Sequence, residues 1–236
     1  MARAMLVALL VLLAPSFAQA QSCPAPLGGA RKLVLVTADT LSTATASLQT
    51  FIRANAASPW RATTGPATAL IGSNGVGWAQ AFRQFAAPGE PIKIEGDKRV
   101  PAGFFKIGRP FGFAPSAQPH YLQITEGITC VDDPASAAYN TIATRAKIGP
   151  LVHGENMWRF RQYRSGLLVD YPTDRAARAG SCIFIHRWLK GATSTHGCVA
   201  LPEQQLQSLQ NFSLSGAVLA VLPRQALDRF TGCLPN

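Results

Sequence analysis

The sequence lacks the features that identify nucleotide-binding and nucleic-acid-binding proteins. Arginine alternates with aromatic side chains in the short run W-R-F-R-Q-Y-R at residues 158–164, but this is too little to support a nucleic-acid platform. The G-S-N-G group at residues 72–75 has neither the lysine of a phosphate-binding loop nor the dinucleotide-binding spacing, so a tight turn is expected there. There is no internal repeat and no long low-complexity segment, and charged residues make up only 14% of the chain. One globular domain without a nucleic-acid partner is the simplest description.

Long apolar runs are also missing, apart from one short run near the N-terminus. Residues 1–20 contain Arg3, an apolar core over residues 5–13 and an A-Q-A ending, which is the order of a secretory signal peptide. The run is too short to cross a membrane. We predict a signal peptide over residues 1–20, no transmembrane span after cleavage, and export to the periplasm or cell wall. Cys23 leaves a lipid-anchored form as an alternative, although A-Q-S is a poor lipobox.

The charges that are present are mostly basic. Lysine and arginine number 22 against 12 acidic residues, and the formal net charge is +10. A soluble basic surface explains this excess without further assumptions, and attraction to an anionic polymer is the sharper interpretation. Because export is predicted, cell-wall or membrane-surface polyanions are the expected partners under that second interpretation.

The cysteine count is odd. The five are Cys23, Cys130, Cys182, Cys198 and Cys233. In an oxidising compartment this number leaves one free thiol beside two disulfides, as a cysteine nucleophile would require. With Cys198 set aside, three pairings remain open. The pairing expected here joins Cys23 to Cys233 at the chain ends and Cys130 to Cys182 next to the segment that leads to His186.

The hydrophobic pattern is typical of short β-strands broken by glycine and proline. It predicts a mainly β, antiparallel sandwich or barrel with one or two short helices. We expect one catalytic domain over residues 31–222, followed by a C-terminal tail over residues 223–236. Strands are predicted at residues 33–36, 67–72, 92–95, 104–108, 121–125, 167–171 and 217–222, and a helix at residues 203–209.

Two neighbouring stretches contain the residues of a nucleophilic site. The run S-C-I-F-I-H-R-W at residues 181–188 ends near His186, and S-T-H-G-C-V-A-L at residues 194–201 sets Cys198 behind a glycine. A histidine that accepts the thiol proton raises the reactive fraction of a cysteine. Gly197 lets the backbone turn tightly, so that the amides of Gly197 and Cys198 form an oxyanion hole. His196 is expected to orient this site or add a hydrogen-bond donor.

The S-T-H-G-C segment with an upstream histidine resembles the signature of the L,D-transpeptidases, the YkuD-type enzymes that remodel bacterial peptidoglycan. Residues 96–105, G-D-K-R-V-P-A-G-F-F, are similar to the G-x-x-x-T-P-x-G-x-F segment of the same family. The resemblance implies a mainly β catalytic domain in which Cys198 is the nucleophile and His186 accepts and returns its proton. The spacer from His186 to Cys198 is shorter than in the commonest members, and V-A-L at residues 199–201 lacks the arginine often found there.

This resemblance also implies the reaction. The enzyme would acylate Cys198 with a peptidoglycan stem peptide and pass the acyl group to an amine on a neighbouring stem, forming a 3-3 link or, given the departures, a 1-3 link. Neither a metal nor an organic cofactor is required, and carbapenem-type β-lactams are expected to acylate Cys198. Thr195, Arg187, Trp188 and His153 are the residues expected to contact substrate.

Three alternatives stay open. The first is a zinc site, because the residue types that bind zinc occur together at Cys182, His186, His196 and Cys198, although their spacing is not that of a zinc finger. The second alternative is a non-catalytic wall-binding or interaction domain in which Cys198 is a structural thiol. A hydrolase would use the same site with water as the acyl acceptor, giving a carboxypeptidase or amidase. The adjacent Asp132 and Asp133 are expected to form an Asx turn before Pro134 rather than a metal site.

Overall fold

The computed structural model of the protein describes residues 23–235, so the predicted signal peptide lies outside the described residues. Strands dominate this part of the chain, joined by three α-helices: α1 (Ala25–Gly28), α2 (Arg145–Ile148) and α3 (Glu203–Ser213). The strands are β1 (Lys32–Ala38), β2 (Thr45–Ile52), β3 (Arg61–Ala62), β4 (Ala67–Leu70), β5 (Val76–Trp78), β6 (Val100–Gly112), β7 (Leu122–Gln123), β8 (Ile128–Cys130), β9 (Ile142–Thr144), β10 (Glu155–Asn156), β11 (Ser165–Asp170), β12 (Phe184–Arg187), β13 (Val199–Leu201) and β14 (Val218–Pro223).

The main sheet closes into a barrel of eight strands. Its order is β1-β14-β6-β11-β12-β13-β4-β2, and pairing between β1 and β2 closes the circle. Strand β3 extends the sheet from β2, while β5 and β7 pair with β6. A second, three-stranded sheet has the order β10-β8-β9. Closure pairs the barrel edges with each other, which removes the exposed edge of an open sheet.

The prediction of a mainly β barrel or sandwich with few helices is confirmed, but the pairing is mixed rather than wholly antiparallel. Strand β1 runs parallel to β14, and β12 runs parallel to β13. Both members of the first pair are strongly apolar, which suits strands enclosed in a core. In the second pair the chain leaves β12 and returns to its starting end before β13 begins, so residues 188–198 form a crossover loop.

Side chains at the start of strand β12 and just before it alternate between two apolar clusters. Ile183 and Ile185 belong to the large barrel core, whereas Cys182 and Phe184 belong to a smaller cluster on the other face. Successive side chains of a strand point to opposite faces, so His186 follows the smaller cluster. The continuous apolar run before His186 is therefore buried on both sides.

Most of the predicted elements are present, with two corrections. Residues 92–95 form no strand; Ile92 makes an isolated bridge to Trp78. The Asp97 carboxylate accepts hydrogen bonds from the amides of Ile94 (2.9 Å) and Arg99 (2.9 Å), which stabilises a turn and uses donors that a strand ladder would need. The strand predicted over residues 121–125 is reduced to β7. Strand β2 was not predicted, because its T-A-S-L-Q-T-F-I sequence mixes polar and apolar residues on the two faces.

The predicted helix is confirmed as α3 and extends four residues further. Leu206 and Leu209 are buried on its inner face. Pro202 occupies the N-cap position, where the lack of an amide proton costs no intrahelical bond.

Residues after Leu222, predicted as a tail, pack onto the barrel. A 3₁₀ segment, Arg224–Phe230, places the Phe230 ring against Phe104 at 4.8 Å between centroids. Cys233 then forms a disulfide with Cys23. That bond uses the thiol that a lipid anchor on Cys23 would need. The domain boundary at residue 222 stays a prediction.

Within residues 23–235, no helix has the length and apolarity needed to cross a membrane.

Candidate active site

The disulfides follow the expected pairing. Cys23 is bonded to Cys233 and Cys130 to Cys182, which leaves Cys198 as the free cysteine of the described residues. Because the Cys182 sulfur is bonded to Cys130, it cannot serve as a zinc ligand, and the zinc alternative is wrong. Residues 23–235 also contain no group of three or more histidine, cysteine or carboxylate side chains arranged to hold a metal ion.

Neighbouring strands bring His186 and Cys198 together. His186 pairs with Ala200 across the parallel β12–β13 ladder. Cys198 lies two residues before Ala200, so its side chain points to the same side of the sheet as that of Ala200. The side chain of His186, which is paired with Ala200, points to that side as well. Both residues line one cleft of about 560 Å³. The parallel register thus converts a separation of 12 residues in sequence into a shared site.

The Cys198 thiol is buried and protonated. Its Sγ donates to the Cys182 carbonyl oxygen at 3.4 Å. Burial raises the pKa of Cys198 to about 12, and the charge of Glu155 acts in the same direction. A hydrogen bond from the backbone amide of Phe184 and the charge of Lys93 oppose this rise and favour the thiolate. The thiol is therefore neutral at pH 7 until a proton acceptor takes its proton.

His186 supplies a neutral acceptor. Its Nδ1 lies 3.0 Å from the Arg187 carbonyl oxygen. Because a carbonyl only accepts, Nδ1 is the protonated nitrogen and Nε2 is left with a free lone pair. Burial lowers the pKa of His186 to about 4, and the bond to Arg187 offsets this only in part. The edge-to-face contact with the Tyr163 ring, 5.6 Å between centroids, fixes the imidazole plane.

The turn before Cys198 is organised by Thr195. The Thr195 hydroxyl donates to the Cys198 carbonyl at 2.7 Å and accepts from the Gly197 amide at 3.1 Å. Gly197 has φ +135°, and a Cβ there would lie 2.9 Å from the Arg99 carbonyl oxygen. Glycine is required at this position for both reasons. The Gly197 amide is hydrogen-bonded to the Thr195 hydroxyl in this conformation, and its role as a donor to the oxyanion stays a prediction.

The predicted substrate contacts divide into two groups. Thr195 and Arg187 line the cleft, and Arg187 forms an ion pair with Glu203 at 3.3 Å. His196 also lines the cleft, and its predicted catalytic role is separate from these contacts. Trp188 and His153 are not among the residues that line it. Trp188 donates its indole N–H to the Ala192 carbonyl, and the exposed His153 is paired with Asp132, which raises the pKa of His153. The substrate-binding roles of all four stay predictions.

Several lining residues were missed in the sequence. They lie far in sequence from the S-T-H-G-C segment and belong to no local motif; these residues are Glu155, Tyr163, Glu95 and Lys93. Asp132 also lines the cleft, and the predicted Asx turn beside it is present, since the Ala135 amide donates to the Asp133 carboxylate at 2.9 Å.

The fold and the cleft together define a class: β-barrel proteins that hold a buried cysteine beside a histidine. A family model, YkuD, the L,D-transpeptidase catalytic domain, matches residues 60–221. The chain therefore belongs to the L,D-transpeptidase catalytic-domain family, whose members act on peptidoglycan peptides. A search of curated proteins finds no match. Strands β1 and β2 precede the matched range, although their pairing closes the barrel.

Proposed function

We propose that the protein is an exported L,D-transpeptidase that joins peptidoglycan stem peptides through an acyl-cysteine intermediate on Cys198. The observation that carries this proposal is the shared cleft of a free, buried thiol and a neutral imidazole within the barrel of this family. Both groups are uncharged at pH 7, so proton transfer accompanies the attack instead of preceding it.

In the first half-reaction, the Cys198 sulfur attacks the carbonyl that follows an L-centre of the donor stem. His186 Nε2 takes the thiol proton and returns it to the departing amine, such as D-alanine. The Cys182 carbonyl orients the S–H bond before the attack, because Sγ donates to it. The amides of Gly197 and Cys198 are the proposed donors to the oxyanion, once the Thr195 hydroxyl releases the Gly197 amide.

In the second half-reaction, a primary amine on a neighbouring stem attacks the thioester carbon. The product is a cross-link of the 3-3 type or, if a different position of the donor stem is attacked, of the 1-3 type. We expect neither half-reaction to need a metal, because the thiol and the imidazole supply the nucleophile and the proton acceptor. Export to the periplasm or cell wall is supported by the two disulfides, which persist in oxidising compartments.

The test is mass spectrometry of the mature protein incubated with disaccharide tetrapeptide and pentapeptide stems, beside Cys198→Ala and His186→Ala. We expect a cross-linked dimer that has lost D-alanine and that is absent with both variants. Fragmentation of the dimer identifies the linkage, and a carbapenem is expected to add covalently to the wild-type protein at Cys198. Trimmed monomers without dimers would identify the same-site hydrolase. Unchanged stems with no carbapenem adduct would contradict an enzyme and favour a wall-binding domain.

A further inference from the structure

Three carboxylates line the cleft, those of Glu95, Asp132 and Glu155, and none has a role in the mechanism above. Glu155 begins β10, and its side chain lines the cleft that contains Cys198. The Tyr163 hydroxyl donates to Glu155 Oε2 at 2.6 Å, while the Tyr163 ring packs against His186. A direct chain of contacts therefore links Glu155 to the imidazole. Strand β10 is held in place by pairing of Glu155 with Cys130, which is disulfide-bonded to Cys182.

Glu155 has no cationic partner among residues 23–235. Lys93 forms its ion pair with Asp97 at 2.6 Å, and Arg187 forms one with Glu203. The other two carboxylates that line the cleft have their own partners: Asp132 pairs with His153, and Glu95 accepts from Ser181 and Tyr139. Glu155 accepts one hydrogen bond from a neutral phenol. A half-buried carboxylate with so little compensation is costly to keep unless a ligand completes its environment.

The position of Glu155 is unfavourable for the enzyme without substrate. Its negative charge opposes formation of the Cys198 thiolate, and its own pKa is raised by burial first and by the charges of Asp132 and Glu95. A cation beside Glu155 would remove this penalty. The proposed reaction brings one such group, the ammonium of the acceptor diamino acid, to the thioester on Cys198.

We infer that Glu155 is the acceptor-binding residue, which holds the primary ammonium group of the incoming stem peptide beside Cys198. This inference rests on the proposed function, and it deepens it by naming the group that selects an amine over water. The hydroxyl of Tyr163 positions the carboxylate, so that Oε1 is directed to the amine while Oε2 stays bonded to the phenol.

In the transfer step, the Glu155 carboxylate is the first proton acceptor. The ammonium gives one proton to the carboxylate and becomes a neutral amine. Its nitrogen bonds to the thioester carbonyl carbon, and the C–S bond breaks. The second amine proton passes through His186 to the Cys198 sulfur, which restores the thiol, and Glu155 then releases its proton to solvent.

The first experiment compares the wild type with Glu155→Gln, which keeps the size and hydrogen-bonding capacity of the side chain. Donor tetrapeptide is supplied at saturation, and acceptor concentration is varied while dimer and hydrolysed monomer are quantified by mass spectrometry. We expect the acceptor KM to rise about 10- to 100-fold in Glu155→Gln, since a charged hydrogen bond is lost. The acyl-enzyme is expected to form at least as fast as in the wild type.

Two further variants separate binding from structure. Glu126→Gln removes an exposed carboxylate that does not line the cleft and is expected to leave the acceptor KM unchanged. Tyr163→Phe keeps the ring against His186 and removes only the hydroxyl, so a smaller rise in acceptor KM is expected. An unchanged acceptor KM and an unchanged ratio of dimer to hydrolysed monomer in Glu155→Gln would overturn the inference while leaving the proposed function intact.

A second experiment needs no turnover and therefore tests Glu155 even if the proposed function fails. Alkylation of Cys198 by iodoacetamide is followed with and without a stem tripeptide that carries the free diamino acid amine. In the wild type the peptide is expected to accelerate alkylation, because its ammonium neutralises Glu155. In Glu155→Gln, alkylation is expected to be faster without peptide and insensitive to it. Equal peptide effects in both proteins would overturn the inference.

Discussion

Cys198 and His186 share the cleft as neutral groups. The pKa of Cys198 is about 12 and that of His186 is about 4, both because of burial. A preformed thiolate–imidazolium pair is therefore disfavoured in the free protein. The low pKa of His186 also keeps Nε2 available as an acceptor down to mildly acidic conditions.

Alkylation kinetics report the charge state of Cys198. The iodoacetamide rate is expected to rise about tenfold per pH unit from pH 7 and to continue past pH 9, because the thiolate fraction is still small there. Mass spectrometry of the intact protein measures this rate, and the disulfide-bonded cysteines do not react. A plateau at or below pH 8 would contradict the neutral pair and indicate an ion pair with His186.

The buried His186 also couples folding to pH. Its pKa falls from 6.5 in the unfolded chain to about 4 in the fold. The unfolded chain thus binds a proton more readily, and the neutral imidazole contributes stability that is fully present above pH 6.5 and lost as the pH falls towards 4. At pH 5 the expected loss is about 2 kcal/mol relative to pH 7.

Urea unfolding at pH 7 and pH 5 measures this effect, with His186→Asn as the control. The variant is expected to lose less stability than the wild type over this interval. Equal losses would show that His186 titrates alike in the folded and unfolded states.

At the scale of elements, the Cys130–Cys182 disulfide joins the three-stranded sheet to the segment that enters β12. Its two cysteines are 52 residues apart in the sequence, and the carbonyl of the second one accepts the hydrogen bond from the Cys198 thiol. Cys182 itself has φ +56°, an uncommon conformation for a residue with a side chain. We therefore expect the disulfide to hold the Cys182 carbonyl in position beside the Cys198 thiol, in addition to stabilising the fold.

Removing each disulfide separately distinguishes these two effects. The paired substitution Cys130→Ala with Cys182→Ala is expected to cost about 2–4 kcal/mol and to lower kcat, because the thiol loses its oriented acceptor. The matched pair Cys23→Ala with Cys233→Ala is expected to lower stability by a similar amount with kcat retained. Urea unfolding and the dimer-forming assay measure both quantities, and equal kcat values in the two variants would contradict a role for the first disulfide at the site.

At the scale of the whole molecule, the barrel core extends beyond the matched family range at both ends. Strands β1 and β2 close the barrel, and Phe230 packs against Phe104 and Phe85. Phe230 is 2% exposed. The segment after Leu222 therefore takes part in the hydrophobic core.

Truncation of Phe230 tests that contribution. Phe230→Ala is expected to lower the free energy of unfolding by about 3–5 kcal/mol, since the substitution leaves a cavity among aromatic rings. Leu151→Ala, at a side chain that is 96% exposed, is the control and is expected to change stability by less than about 0.5 kcal/mol. A change of similar size in both variants, measured by urea unfolding, would show that residues after 222 are a dispensable tail.

The sequence left three disulfide pairings open, but by itself it determined the β-rich class, the helix that became α3, and the presence of one unpaired cysteine. These features depend on local chemistry: period-2 and continuous apolar runs, and an odd cysteine count. Only the tertiary structure decided the parallel pairing of β12 with β13, the turn that replaces the strand at residues 92–95, and the approach of Glu155 and Tyr163 to the site. Glu155 is 43 residues from Cys198 in the chain, and barrel closure rather than any sequence pattern brings the two into one cleft.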